Sequence, residues 1–395
     1  MRKKEILAGQ KRLLEEIAAL REETLEMRRT ISELPETVPE RPVPDNPGED
    51  IARAHQFSRF PILRGVDERY PNHPMGAAPP GKDDGITLAQ LAWHLQGYAA
   101  AHFGLRAAVG LFAGLLGAMA ASRLVALTGK AAAMLPEAAA SALGQLTELI
   151  PPRSPLFGSM DAVTKRYRET RLLRTVYEAG YRSSPCFAVI NDISAVSPED
   201  IARLAGMDQS LRLAGSAWPG DPILLRDGIL RRPENLWIFG AAQEAAASAA
   251  PMRLHVGSGD HPMDVPYGLQ AIDISAGRLL ELLRAAPWEY PVPEEISAGF
   301  IKTAEHLAER LDISFDAQTE QQMPGFIGVC LACGLRPGNA LDVFFYHKAL
   351  RRLEYADPFL LRYELPGLQR FLEDTFGRGA MPLTHDFIKD LQKND

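Results

Sequence analysis

The residues best placed to do chemistry lie in "SRLVALTGKAAAMLPEAAASAL", Ser122 to Leu143. An apolar run that reads as a buried strand ends in Gly129-Lys130, and an alanine-rich helix follows. Strand, Gly-Lys and helix in that order outline a phosphate-binding loop. Such a loop has the form G-x-x-x-x-G-K-[ST]. Its glycines let successive backbone N–H groups curl around phosphate, its lysine neutralises the β/γ-phosphates, and its hydroxyl holds Mg²⁺. With Gly129-Lys130 as the Gly-Lys pair, the first glycine falls on Leu124 and the hydroxyl on Ala131. Leu124 belongs to the strand, so the cradle itself is deleted, and Gly-Lys alone is a weak signal.

Other reactive residue types give little. Cys330 and Cys333 form C-x-x-C in "GVCLACGL". A redox pair would sit in a βαβ unit, and a zinc site would need a second Cys/His pair at short spacing. Neither follows, so the two read as small apolar residues on a packed helix. Three cysteines in 395 residues make no disulfide framework. The histidines are scattered singly, and none is assigned to a metal.

The elements that must position Gly129-Lys130 follow from periodicity. "RLVAL", "PCFAVINDIS" and "ENLWIFGAA" are continuous apolar runs bounded by turn residues and alternating with helical stretches. That pattern predicts an α/β core over 87–293, with a parallel sheet covered on both faces. After Pro293 no strand signal remains, and 294–395 reads as a separate all-helical domain. Ile6, Leu13, Leu20, Met27 and Leu34 stand seven apart, with Ile17 and Ile31 in the second apolar position, so 1–35 reads as a coiled-coil helix. Residues 36–86 read as a proline-rich, acidic linker carrying one apolar docking segment, "FSRFPILRG".

Composition narrows the function classes. A formal net charge of −7 lacks the broad positive field of a nucleic-acid binder, leaving "KRYRETRLLR" (Lys165 to Arg174) as a local basic cluster. A solvated helix face accounts for that cluster equally well. The run "AAVGLFAGLLGAMAAS" contains Gly110 and Gly114 in G-x-x-x-G. It falls short of the roughly 20 apolar residues a spanning helix needs and reads as a buried soluble helix. With the charged N-terminus "MRKKEILAGQKRLLEE", a cytoplasmic location is expected.

From about Gln56 to Lys393 the chain resembles the AAA+ ATPases of the McrB-like group, related to methylcytosine-dependent restriction motors, in particular bacterial members with an N-terminal coiled coil. "QFSRFPILRG" is similar to that group's lead-in, and "LFAGLLGAMAASRLVALTG" to the helix and strand before its phosphate loop. "LFGSMDAVTKRYRETRLLRTVYEAGY" resembles the segment before Walker B, and "AWPGDPILLRDGILRRPENLWIFGAA" the stretch ending in sensor 1. "LDVFFYHKALRRLE", "YELPGLQRFLEDTFG" and "AMPLTHDFIKDLQK" are similar to its helical lid. The resemblance implies a three-layer AAA+ core with a parallel sheet, a C-terminal helical lid and an N-terminal coiled coil.

The catalytic positions implied by the resemblance depart from the family one after another. Its Walker B Asp-Glu becomes Asn191-Asp192 in "FAVINDIS", so the metal position loses its charge and the water-polarising acid is one methylene shorter. Its sensor 1 Asn becomes Gln243 in "GAAQEAAASAAP". Its Asp-Arg pair is missing, with Arg253 near but not matching, and its lid Gly-Asn-Arg becomes Asp316, Ala317 and Gln318. One lost charge stabiliser costs about 10²–10³ in rate, and an arginine finger about 10³–10⁵.

The expectation is therefore a pseudo-ATPase acting through protein contacts. No catalytic residue, metal site or cofactor is assigned, and Gly129, Lys130, Asn191, Asp192 and Gln243 are degenerate nucleotide-binding positions. Protein partners are expected, either active AAA+ subunits or a coiled-coil partner, with self-association also open. No membrane and no direct nucleic-acid partner is expected. Two rivals stand beside this reading. One is a working nucleotide-binding or weakly hydrolysing AAA+ protein that takes ATP or GTP with Mg²⁺. The other is a component of a nucleic-acid-associated, restriction-like motor.

Overall fold

A computed structural model of the chain describes residues 58–70, 81–143, 147–152, 155–205, 210–216, 220–242, 250–257, 261–265, 268–348 and 350–393. The predicted coiled coil over 1–35 and most of the linker over 36–86 lie outside the described residues.

Five parallel strands form the central sheet: β1 (Leu124–Thr128), β2 (Thr147–Ile150), β5 (Cys186–Ile190), β9 (Leu236–Ala241) and β10 (Met252–His255). Their order across the sheet is β10-β1-β9-β5-β2. The three apolar runs read from sequence are the three central strands. Their side chains alternate between two separate cores, as strand geometry requires. Val125, Leu127, Phe187, Val189, Trp237 and Phe239 enter one core. Leu124, Cys186, Ala188, Ile190, Leu236 and Ile238 enter the other. A strand covered on both faces has no polar side, which is why these runs are unbroken.

On the first face lie α2 (Leu88–Phe103), α3 (Val109–Ala121) and α4 (Met134–Ala142). Thr87 and Gln90 form a reciprocal capping box that starts α2. The second face carries α1 (Pro61–Arg69) and α5 (Arg171–Ala179). Two short sheets flank it. One is the hairpin of β3 (Ser159–Met160) and β4 (Tyr167–Arg168). The other joins β6 (Leu211–Arg212), β7 (Leu225–Arg226) and β8 (Ile229–Leu230) in the order β6-β8-β7. A further short helix, α6 (Pro198–Ala205), follows β5.

α1 is held to the second face by polar as well as apolar contacts. Phe60, Leu63 and Val66 are fully buried, and Phe60 stacks on Tyr167 with ring centroids 4.9 Å apart. Arg59 grips Asp221 through two side-chain hydrogen bonds of 3.1 and 2.5 Å.

The C-terminal part is helical: α7 (Ala276–Glu289), α8 (Glu294–Leu311), α9 (Ala317–Ala332), α10 (Pro337–Lys348), α11 (Pro358–Phe376) and α12 (Pro382–Lys393). α9 packs against α3 and α7. Phe326, Ile327 and Val329 of α9 belong to the same apolar cluster as Val125 and Leu127 of β1. Small residues of α3 allow close approach: a Cβ on Gly114 would stand 3.0 Å from Val343 of α10, and one on Gly117 3.0 Å from the carbonyl oxygen of Phe326 of α9. Among the described residues no helix is long and apolar enough to cross a membrane.

Candidate functional site

All five strands of the central sheet run the same way, so their C-terminal ends share one edge, where ligands of open α/β sheets bind. Register places the candidate positions along it. Leu127 is opposite Ala241, Gly240 opposite Ile190, and Thr128 opposite His255. Gly129-Lys130, Asn191-Asp192 and Val256 therefore leave the sheet at one edge. With strands about 4.8 Å apart, β1 and β5 are separated by about 10 Å, with β9 between them. Gln243 lies outside the described residues.

β1 gives way to α4 without a wide loop. Leu124 is 1% exposed, pairs with Ile238, and packs in the second core. Gly129 has φ +93°, and a Cβ there would lie 2.2 Å from the carbonyl oxygen of Val256, so this turn requires glycine. The chain then coils at once. Ala132 N–H donates to the Gly129 carbonyl at 3.2 Å, and Met134 and Leu135 N–H donate to the Ala131 carbonyl at 3.1 and 3.3 Å. With these bonds the chain passes from strand to helix within one turn of Gly129. Ala131 is buried, whereas the Lys130 side chain is exposed. Among the described residues no ion pair or side-chain hydrogen bond engages it.

The second candidate pair is equally committed. Asn191 is exposed, and its N–H donates to the Ile150 carbonyl at 3.3 Å. Asp192 caps a 3₁₀ turn, Ile193–Ala195, by accepting from Ser194 N–H at 2.9 Å. Ile193 is 1% exposed and rests on Gly240 of β9, where a Cβ would stand 2.7 Å from its Cδ1. A magnesium–nucleotide complex does not fit this set. Asn191 is neutral, the Asp192 carboxylate caps its own turn, and β1 runs on through the position of the loop's first glycine.

Sequence reasoning missed a polar cluster beside this edge. Thr128 Oγ1 and His255 Nδ1 are 3.2 Å apart, and the backbone N–H of His255 donates to His347 Nδ1 at 2.8 Å. Arg253, the arginine nearest the family's finger position, is 5% exposed and donates to the Lys348 carbonyl at 2.6 Å. It points into the molecule rather than toward a neighbour. Lys348 Nζ donates to Gln322 Oε1 at 3.1 Å and to the Pro251 carbonyl. These bonds tie β10 to α9 and α10. They come from residues scattered through the sequence, so no local spacing announces them.

The remaining candidates resolve into structural roles. Asp316 caps α9, accepting from Thr319 N–H at 2.7 Å and Thr319 Oγ1 at 2.6 Å. Ala317 and Gln318 are exposed in its first turn. Cys330 and Cys333 are free and buried, and burial pushes the Cys333 thiol up to about 12. The basic stretch 165–174 is divided between the β3–β4 hairpin and α5. Within it Arg168 pairs with Asp161 at 2.8 Å, Arg171 donates to the Leu149 carbonyl at 3.1 Å, and Arg174 lies 3.6 Å from Glu178. Among the described residues no group of three His, Cys, Asp or Glu side chains could hold a metal ion.

No protein-family profile and no curated protein matches the chain. Among solved structures, a candidate ATPase from Cytophaga hutchinsonii is similar at 11% identity and a TM-score of 0.43, covering 87% of this chain and 97% of that one. A likeness of that degree does not identify a function.

Proposed function

We propose that this chain is a degenerate member of the AAA+ class, of the McrB-like group, that acts as a structural or regulatory subunit through protein contacts and does not hydrolyse nucleotide. The observation that carries this reading is the position of Leu124 in β1: strand occupies the place where the loop's first glycine would have to stand. The neutral side chain of Asn191 supports it, because an amide at the metal position brings no charge to Mg²⁺. A side-by-side place among active subunits and a helical lid formed by α8–α12 belong to the same proposal, as does a coiled-coil contact through 1–35.

The test is nucleotide binding and turnover by the purified full chain, with Lys130→Ala beside it. The expected result is no turnover above background and ATP affinity weaker than roughly millimolar, under about 4 kcal/mol of binding free energy. The substitution should change neither. Tight ATP binding abolished by Lys130→Ala would overturn the reading in favour of a nucleotide-controlled switch. The exposed Lys130 and Asp192 at the sheet edge are the features that favour that alternative.

A further inference from the structure

The opposite end of the sheet carries a groove that the nucleotide fold does not explain. Arg182 precedes β5, and Glu234 and Asn235 precede β9. With the β7–β8 hairpin these residues line a cavity of 960 Å³. Its wall holds Arg182, Arg226, Arg231 and Arg232 against only Asp227 and Glu234, in a chain whose net charge is −7. The wall therefore carries four positive charges against two negative ones. Glu234 is paired outward with Arg284 at 3.1 Å, and Asp227 occupies the hairpin turn with φ +52°. Arg182 is steered by Glu178 at 2.9 Å. Arg226 and Arg231 are exposed, and among the described residues neither forms an ion pair or a side-chain hydrogen bond.

The hairpin fixes where these two guanidinium groups emerge. Leu225 is opposite Leu230 and Arg226 opposite Ile229, so Asp227-Gly228 is a two-residue turn with both φ values positive. Leu213 and Ala214 N–H both donate to the Gly228 carbonyl, at 2.8 and 3.1 Å. At the floor, Asn235 Nδ2 donates to the carbonyls of Ala179, Arg182 and Ser184 at 2.9–3.0 Å. The arginines thus stand on a braced frame, with half-buried apolar side chains of Leu224, Ile229 and Pro233 between them.

We propose that this groove binds an acidic segment of a partner protein, an extended run in which Asp or Glu alternates with apolar side chains. Arginine forks match carboxylates bidentately, and the intervening wall accepts the apolar residues. Nucleic acid fits less well. The Tyr177 ring is fully buried and no other aromatic residue lines the groove, so bases have no stacking platform. The groove goes beyond the proposed loss of ATPase activity and is independent of it, since it lies at the far end of the strands from Lys130.

The experiment uses the full chain and a fluorescein-labelled peptide of alternating Glu and Leu, followed by anisotropy. A Gln-for-Glu peptide and labelled oligo-deoxythymidine serve as competitors. The expected result is saturable binding of the acidic peptide that weakens with salt, is not shared by the Gln peptide, and falls at least about tenfold in R226E/R231E. R226Q/R231Q should show a smaller loss, with both variants retaining the parent circular dichroism. If the charge reversal unfolds the chain, the Gln pair and the salt dependence of the parent still decide. Equal binding of the Gln peptide, or no effect of either variant, overturns the proposal. Preferential oligo-deoxythymidine binding lost in the same variants overturns it in favour of a nucleic-acid site.

Discussion

Ile193 lies directly over Gly240, and the missing Cβ of that glycine is what makes room for it. The contact joins the turn after β5 to the C-terminal end of β9, on the face of the sheet that carries the second core.

Gly240→Ala is therefore expected to destabilise the protein. The new Cβ would stand 2.7 Å from Ile193 Cδ1 and 2.9 Å from its Cβ, and the second atom cannot swing away as a side-chain tip can. Overpacking of this kind costs about 1–3 kcal/mol. Urea unfolding of the variant should show a lower midpoint with an unchanged slope. A shift of less than a few tenths of a kcal/mol would mean that Ile193 moves off the edge freely.

The central strands were legible in the sequence because each is buried on both faces, which leaves an unbroken apolar run as the signature. β2 and β10 were not. "TELI" and "MRLH" interrupt their apolar residues with Glu148, Arg253 and His255, and both strands lie at the margins of the sheet. Only tertiary partners such as Lys348 and His347 make β10 a strand that can bury an arginine. The site was legible in part. Gly129 could be placed at a strand end from the apolar run before it, and Asn191-Asp192 through the family resemblance. That Asp192 caps its own 3₁₀ turn rests on Ser194 two residues on, whereas the inward direction of Arg253 depends on Lys348, far away in sequence.

α1 should be releasable by one substitution. Asp67 is 4% exposed and accepts from Tyr177 Oη at 2.5 Å, from the Tyr181 hydroxyl, and from Ile223 N–H at 3.0 Å. Burial, together with the hydrogen bond each donates to Asp67, raises both phenols, the Tyr181 hydroxyl to about 12. Asp67→Ala would strand the two phenol donors in the second core, a loss of about 3 kcal/mol. Hydrogen exchange across 58–70 should then rise well above that of α5. Equal protection in variant and parent would show that Phe60, Leu63 and Val66 hold α1 unaided.

The β3–β4 hairpin carries its own acid dependence. Asp161 accepts from Val163 and Thr164 N–H, each at 2.9 Å, and from Arg168 Nη2 at 2.8 Å. These bonds, led by the one from Thr164, hold its carboxyl down at about 2, from 3.8. A depressed folded value means that the stabilisation is present above pH 3.8 and is lost as pH falls toward 2. Carboxyl NMR should follow Asp161 titrating below the other surface aspartates. In Asp161→Asn the acid-induced loosening of residues 161–168 should disappear. A titration near the ordinary aspartate value would mean that the turn does not hold its carboxylate.

Restoring the motif letters should not restore the motif. Leu124 and Ala131 stand where the phosphate loop has Gly and Ser or Thr, so Leu124→Gly with Ala131→Ser rewrites the sequence toward the consensus. The backbone does not follow. Leu124 pairs with Ile238 inside a central strand and packs in the second core at 1% exposure, while Ala131 is 4% exposed. Removing a buried leucine side chain from such a site costs about 2–5 kcal/mol, and glycine in a strand interior adds about 0.5–1 kcal/mol. The expected outcome is a variant with a markedly lower unfolding midpoint and no ATP turnover above the parent. The cradle would require the chain to leave the sheet five residues earlier, and the pairing of β1 with β9 and β10 opposes that. Turnover by a folded double variant that disappears on adding Lys130→Ala would show that two side chains, and not the strand, silence the site.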